Sequence, residues 1–374
     1  MGRTGRVLLV GIEGAEPRVV REALKRGRLP NLAAIAQRGV SGRLRSPLPL
    51  ASASVWTSVA TGMDPAGHGV VRVARDVLDE RRYFPRSTDR AAHAIWNIAS
   101  DAGLAVGVVN WPATHPPEKV DGVMISDFAI SVEAGAAPPV RPSVRPPVWP
   151  AEWAPRVETL LAERAPLTDV PDPTAGSGLP AWMDSPGVVR SGRDDAGVTR
   201  IARAVEADLR PDLMLVFLTG IDRVSHRWWG AFEDPSAYDD PPPLSESERA
   251  TGREALLAYY AFTDALIGRL LEAYGPDDLV LILSGYGFEA GDLRTPGVHA
   301  SPEAQYGVFF AAGREVVQPS RLVPPSGNDV TPTILTWLGI PPASDMDGRA
   351  APFLTSPAIA KVATYDSPIE RVAE

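Results

Sequence analysis

The sequence predicts an α/β fold with a mostly parallel central sheet and helices on both faces. Two observations carry this. Runs of strand length at Val7–Ile12, Val106–Val109, Leu213–Leu218, Leu279–Leu283 and 308–311 are apolar almost throughout, as strands covered on both faces are. Between them lie amphipathic segments of helix length, and parallel neighbours need crossovers of that size.

Helices are expected over 18–26, 32–38, 55–60, 91–102, 198–208, 253–274 and 333–338, several of them stopping at Gly or before Pro. Between Ser131 and Gly187 the character changes, with Pro-Pro pairs at 138–139 and 146–147 and a stretch rich in Pro, Gly, Ser and Asp over 169–186. The expectation is one domain over residues 1–374, with an insertion or cap at 131–187. A second proline-rich break at 234–244 is, like the first, placed to shape an entrance.

The composition is that of a globular chain, 44% hydrophobic and 22% charged with a mean hydropathy of -0.06. A net charge of -9 and a pI near 5.2 argue against a nucleic-acid backbone as partner, since that binding needs clustered Lys and Arg. The absence of cysteine excludes a disulfide, a thiolate nucleophile and a formylglycine precursor. The first apolar run is short and leads directly into Glu13-Gly14, so it fails as a secretory leader. No other run is long enough to span a bilayer, and a cytoplasmic location without membrane partners is expected.

In open α/β sheets ligands gather beyond the carboxyl ends of the strands, so the residues following each apolar run are the place to look. Glu13, between Gly11 and Gly14, reads either as a metal ligand or as an acid complementing a helix dipole. Ser52, ahead of the segment closed by Gly62, reads as an N-cap or as a nucleophile whose phosphorylated form the helix N-terminus would stabilise. Asp222 and His226 are four apart, so one helical turn brings carboxylate and imidazole to the same side, as an ion pair or as ligands for zinc or manganese. Ser284-Gly285-Tyr286-Gly287-Phe288 holds no good metal ligand, and His299 stands alone in its segment.

Taken in order, these stations resemble the type I phosphodiesterase/nucleotide pyrophosphatase branch of the alkaline phosphatase superfamily. The stretches Gly27-Arg28-Leu29-Pro30-Asn31-Leu32, Trp56-Thr57-Ser58 with Thr61-Gly62, Pro65 and His68-Gly69, Val108-Val109-Asn110-Trp111-Pro112, and Asp329 with Pro332-Thr333-Ile334-Leu335 and Leu338-Gly339 carry the same resemblance. It implies two metal ions flanking a phosphoryl group, with a Thr or Ser attacking phosphorus. By the motif, Ser52 is the nucleophile and one metal falls to Asp222, His226 and His299.

The other metal is held in relatives by an aspartate after the first strand and by an Asp-His pair in a Ser-Asp-His-Gly-Phe motif. Here those positions are Glu13, Gly285 and Tyr286. Glycine cannot ligate, and a neutral phenol with an ordinary pKa of about 10 is a weak ligand. The resemblance therefore implies one firmly held zinc or manganese ion per chain, with Glu289 and Asp292 as replacement carboxylates for the damaged site. Gly285→Asp with Tyr286→His and Glu13→Asp is expected to raise the metal content towards two. The sulfatase branch is disfavoured, because there is no cysteine and no Pro-x-Arg after Ser52. The expected activity is hydrolysis of small phosphate esters. The alternatives are an inactive member that binds a phosphate-bearing ligand or a protein partner, and a repurposed enzyme using Tyr286 as acid or base.

Overall fold

A computed structural model describes residues 5–71, 85–130, 147–163, 167, 170, 186–319 and 322–365. The strands are β1 (Val7–Ile12), β2 (Val40–Arg45), β3 (Val106–Val109), β4 (Gly122–Ile125), β5 (Val148–Trp149), β6 (Leu213–Leu218), β7 (Leu279–Leu283), β8 (Glu289–Ala290), β9 (Gly297–Val298) and β10 (Tyr306–Ala312). The α-helices are α1 (Pro17–Lys25), α2 (Pro30–Arg38), α3 (Ser52–Thr61), α4 (Pro65–His68), α5 (Ile95–Asp101), α6 (Ala154–Ala162), α7 (Pro186–Leu209), α8 (Gly220–Phe232), α9 (Glu246–Leu271) and α10 (Val330–Leu338).

Eight strands form one sheet in the order β2-β10-β7-β1-β6-β3-β4-β5, and β8 and β9 make a separate two-stranded ribbon. The five strands from β7 to β4 are parallel, while β10 runs against β7 and β2, and β5 runs against β4. The strand at 308–311 is thus the antiparallel member of an otherwise parallel centre.

Alternation along the strands separates two apolar layers. Leu8, Val10 and Ile12 of β1, with Met214, Val216 and Leu218 of β6, pack against α1, α2, α7, α8 and α9. Val7 and Leu9, with Leu213, Leu215 and Phe217, face α3, α5 and α10 on the other side. Both faces are covered, which is why β1, β6 and β7 are buried at every residue.

Helix boundaries shift where polar groups decide them. The helix expected over 91–102 begins at Ile95, because the Asn97 side chain accepts from the Ala94 amide at 2.9 Å and caps the chain there. The helix expected over 253–274 begins at Glu246, where Ser245 and Glu248 form a reciprocal capping box.

Within 131–187, β5 extends the edge of the main sheet, and Val157 of α6 packs into the same apolar layer as α7. Residues 131–146, 164–166, 168–169 and 171–185 lie outside the described residues. Among the described residues no helix is long and apolar enough to cross a membrane.

Candidate active site

Three parallel strands deliver their following residues to one end of the sheet. Glu13 follows β1, α8 follows β6, and Ser284 to Gly287 follow β7. The Glu13 amide donates to the Leu218 carbonyl at 2.9 Å, and Ser284 Oγ accepts from the Ala15 amide at 2.8 Å, so the three exits are tied together. Gly14 turns the chain at φ 68°, a left-handed conformation where a Cβ would lie 2.9 Å from Asp222 Oδ1.

One turn of α8 puts Asp222 and His226 on the same side, and His299 arrives from the segment after β9. Among the described residues these three form the one group of metal-ligating side chains, with ligand atoms within 4.8 Å of one another. His299 Nε2 is 3.1 Å from Asp222 Oδ1, and His226 Nε2 is 3.5 Å from Oδ2. Each ring is oriented by its other nitrogen. Nδ1–H of His226 donates to the Gly297 carbonyl at 2.7 Å, and that of His299 to the Gly287 carbonyl at 2.8 Å.

With Nδ1 protonated, a neutral imidazole aims its Nε2 lone pair at the carboxylate. Such an arrangement needs a cation in the middle, either a proton or a metal ion. Burial alone would raise the Asp222 carboxyl, but the two imidazoles beside it hold it well below the usual range. His226 shows the reciprocal effect: burial lowers it, yet Asp222 more than reverses this and pushes the imidazole up to about 9. Asp222 Oδ1 is buried and makes no aligned hydrogen bond. That orphaned oxygen beside two Nε2 atoms fits a transition metal with an open coordination position, and carbonyl-anchored imidazoles are its usual support.

Ser52 is the first residue of α3, and Ala51 before it has extended backbone and makes no side-chain cap. The serine hydroxyl therefore does not cap the helix. It donates instead to Glu13 Oε2 at 2.5 Å. Glu13 Oε1 accepts from the Tyr286 hydroxyl and from Trp56 Nε1, the latter at 3.3 Å. Burial, and next the charge of Asp222, push the Glu13 carboxyl up to about 7 against the pull of these three donors. Tyr286 is raised well above its ordinary value, first by burial and then by Glu13 and Asp222.

Glu289 and Asp292 do not join this cluster through ligand atoms among the described residues. Glu289 Oε1 accepts from the amides of Ala300 and Ser301, and Asp292 Oδ1 from those of Arg294 and Thr295, so both shape their own loop.

The sequence profile of the type I phosphodiesterase/nucleotide pyrophosphatase family matches residues 7–301, which contain all of these stations. The chain belongs to that family. Type I phosphodiesterases are phosphoester hydrolases of the alkaline phosphatase superfamily, and solved structures agree in fold. The phosphonate monoester hydrolase of Silicibacter pomeroyi is 20% identical with a TM-score of 0.53, over 95% of this chain and 78% of that one. Human ectonucleotide pyrophosphatase/phosphodiesterase 5 is 13% identical with a TM-score of 0.53, over 94% of this chain and 100% of that one. The chain spans 57% of the length of a phosphonoacetate hydrolase from Sinorhizobium meliloti 1021, at 17% identity and a TM-score of 0.46. No curated protein matches in sequence.

In this type I phosphodiesterase family member Gly285 sits tightly against α3. A Cβ there would lie 2.7 Å from Val55 Cγ1, closer than real side chains approach, and Val55 is itself fully buried. Gly285→Asp is therefore expected to overpack the site and lower stability by about 1–3 kcal/mol. The triple change Gly285→Asp, Tyr286→His and Glu13→Asp should gain a second metal only when Val55→Ala is added. Thermal melts and metal content by mass spectrometry check both statements, and two metals in the triple variant with Val55 intact would refute the second.

Sequence reasoning missed the hydrogen bond from Trp56 and the carbonyls of Gly287 and Gly297. Trp56 was legible only as part of a motif. A backbone carbonyl leaves no mark in a sequence beyond the glycine that lets the chain come close.

Proposed function

We propose that the chain hydrolyses small phosphate esters, with Ser52 as nucleophile beside a single zinc or manganese ion held by Asp222, His226 and His299. The observation that carries this is the convergence of two oriented imidazoles on a half-buried carboxylate, at the same strand ends as a serine whose hydroxyl does not cap its helix. When bound, the metal supplies positive charge to the phosphoryl oxygens and lowers the pKa of a nearby water.

The chain's own residues do the rest. Ser52 lies in the first turn of α3, where backbone N–H groups without helical partners face the same direction as the positive end of the helix. An ester phosphoryl group bound there meets those donors. The serine oxygen forms a bond to phosphorus, the alcohol leaves, and water then cleaves the phosphoserine. The Nδ1 bonds to Gly297 and Gly287 hold both imidazoles in one tautomer through the cycle.

Chelation tests the reading. Wild-type protein dialysed against EDTA should lose hydrolysis of p-nitrophenyl phosphate mono- and diesters, and regain it with one equivalent of zinc or manganese. Turnover unaffected by chelation would refute the metal's part. No turnover by metal-loaded protein on any of a broad panel of phosphate esters would favour the inactive, ligand-binding alternative.

A further inference from the structure

The second metal position of the family is the place where this chain departs furthest from the pattern, and its present occupants do not fit a metal ion. Gly285 offers no ligand and has no room for one against Val55. The Trp56 indole presents an N–H, which donates and cannot ligate. Both oxygens of Glu13 are already engaged, one by Ser52 and the other by Tyr286 and Trp56. What remains is one carboxylate and two hydroxyls in a pocket where Glu13 is 4% and Tyr286 3% exposed. A divalent ion asks for at least three good ligands.

We propose that Glu13 replaces the second metal ion as the means of activating the nucleophile, taking the Ser52 proton as the hydroxyl attacks phosphorus. This rests on the reading of Ser52 given above. The geometry is that of a nucleophile and its base: Ser52 Oγ and Glu13 Oε2 are 2.5 Å apart, within hydrogen-bond reach. The third group of such a constellation orients the base, and here Tyr286 and Trp56 do so by holding Oε1. They are positioning residues. Glutamate in place of the family's aspartate supplies the extra methylene, so the same backbone position reaches the hydroxyl rather than an ion beside it.

The steps balance. In the first, the Ser52 O–H bond breaks, its proton passes to Glu13 Oε2, the Oγ–P bond forms as the ester P–O bond breaks, and the leaving alkoxide takes a proton from solvent. In the second, water attacks the phosphoserine, the Oγ–P bond breaks, Glu13 returns its proton to Oγ, and the proton of the water goes to solvent. The sum is ester plus water giving acid plus alcohol, with Glu13 unchanged.

The test uses the metal-loaded chain with Glu13→Gln and Glu13→Asp, reading metal content, kcat and KM on p-nitrophenyl esters, and phosphoserine by intact mass. Glu13→Gln keeps the size and one acceptor but cannot take a proton. It should hold the same single metal as wild type, with kcat lower by about 10²–10⁴-fold, KM little changed and no phosphoserine. Glu13→Asp should recover part of that loss, because a carboxylate is restored. Two metals in wild type falling to one in Glu13→Gln would overturn the proposal, since Glu13 would then be a ligand. So would a Glu13→Gln variant with the turnover of wild type while Ser52→Ala is dead, a result that leaves Ser52 as nucleophile intact. A wild type without turnover removes the Ser52 reading and this one together.

Discussion

Replacing Asp222 with alanine is expected to empty the metal centre and take hydrolysis to background. Asp222 is the sole carboxylate of the three converging side chains, and both imidazoles point their Nε2 atoms at it. A zinc site worth about 10–16 kcal/mol over four ligands gives about 3 kcal/mol to each, on the order of 10²-fold in affinity. The loss here should be larger, because the carboxylate also supplies the charge that offsets a dication at a half-buried site. Three readouts separate metal loss from misfolding. Metal content after dialysis should fall well below one per chain, p-nitrophenyl ester turnover should vanish, and the rise in melting temperature on adding zinc should disappear. In wild type that rise reflects about 2.7 kcal/mol when zinc stands at a hundred times its dissociation constant. Asp222→Ala with one tight metal and full turnover would move the centre elsewhere.

How far the sequence could be read depends on where each determinant lies. β1, β6 and β7 are legible because a parallel strand covered on both faces has to be apolar at every residue. β2 is not, since Val-Ser-Gly-Arg-Leu-Arg at the sheet edge buries only Val40 and Leu44 and carries two arginines outward. β5, β8 and β9 run to two residues each, too short for a periodic pattern. At the site, Asp222 and His226 share a helical turn and can be paired from spacing alone, whereas His299 is 73 positions further on and enters only through the order of the family's motifs. Substitution at 285 and 286 is visible as the loss of two ligands. That Val55 closes the space above Gly285, and that Ser52 turns to Glu13 rather than to its own helix, depend on packing between α3 and the strand ends. No local pattern encodes such packing.

Ser52→Ala should lower turnover by at least about 10⁴-fold while leaving the metal in place. The change removes the attacking oxygen itself, and in a nucleophile-base pair loss of the nucleophile costs nearly as much as loss of the whole unit. The three residues proposed to hold the metal are on α8 and in the segment after β9, so their hydrogen bonds to Gly297 and Gly287 do not involve α3. Some stability should go as well, because Glu13 Oε2 loses its donor within a buried cluster, at about 1–3 kcal/mol. A chiral thiophosphate ester gives the sharper test. Two in-line displacements through phosphoserine return phosphorus with its configuration retained, whereas direct attack by water inverts it. If Ser52→Ala turns over at the wild-type rate and wild type inverts phosphorus, water is the nucleophile, and the 2.5 Å bond between Ser52 and Glu13 serves structure alone.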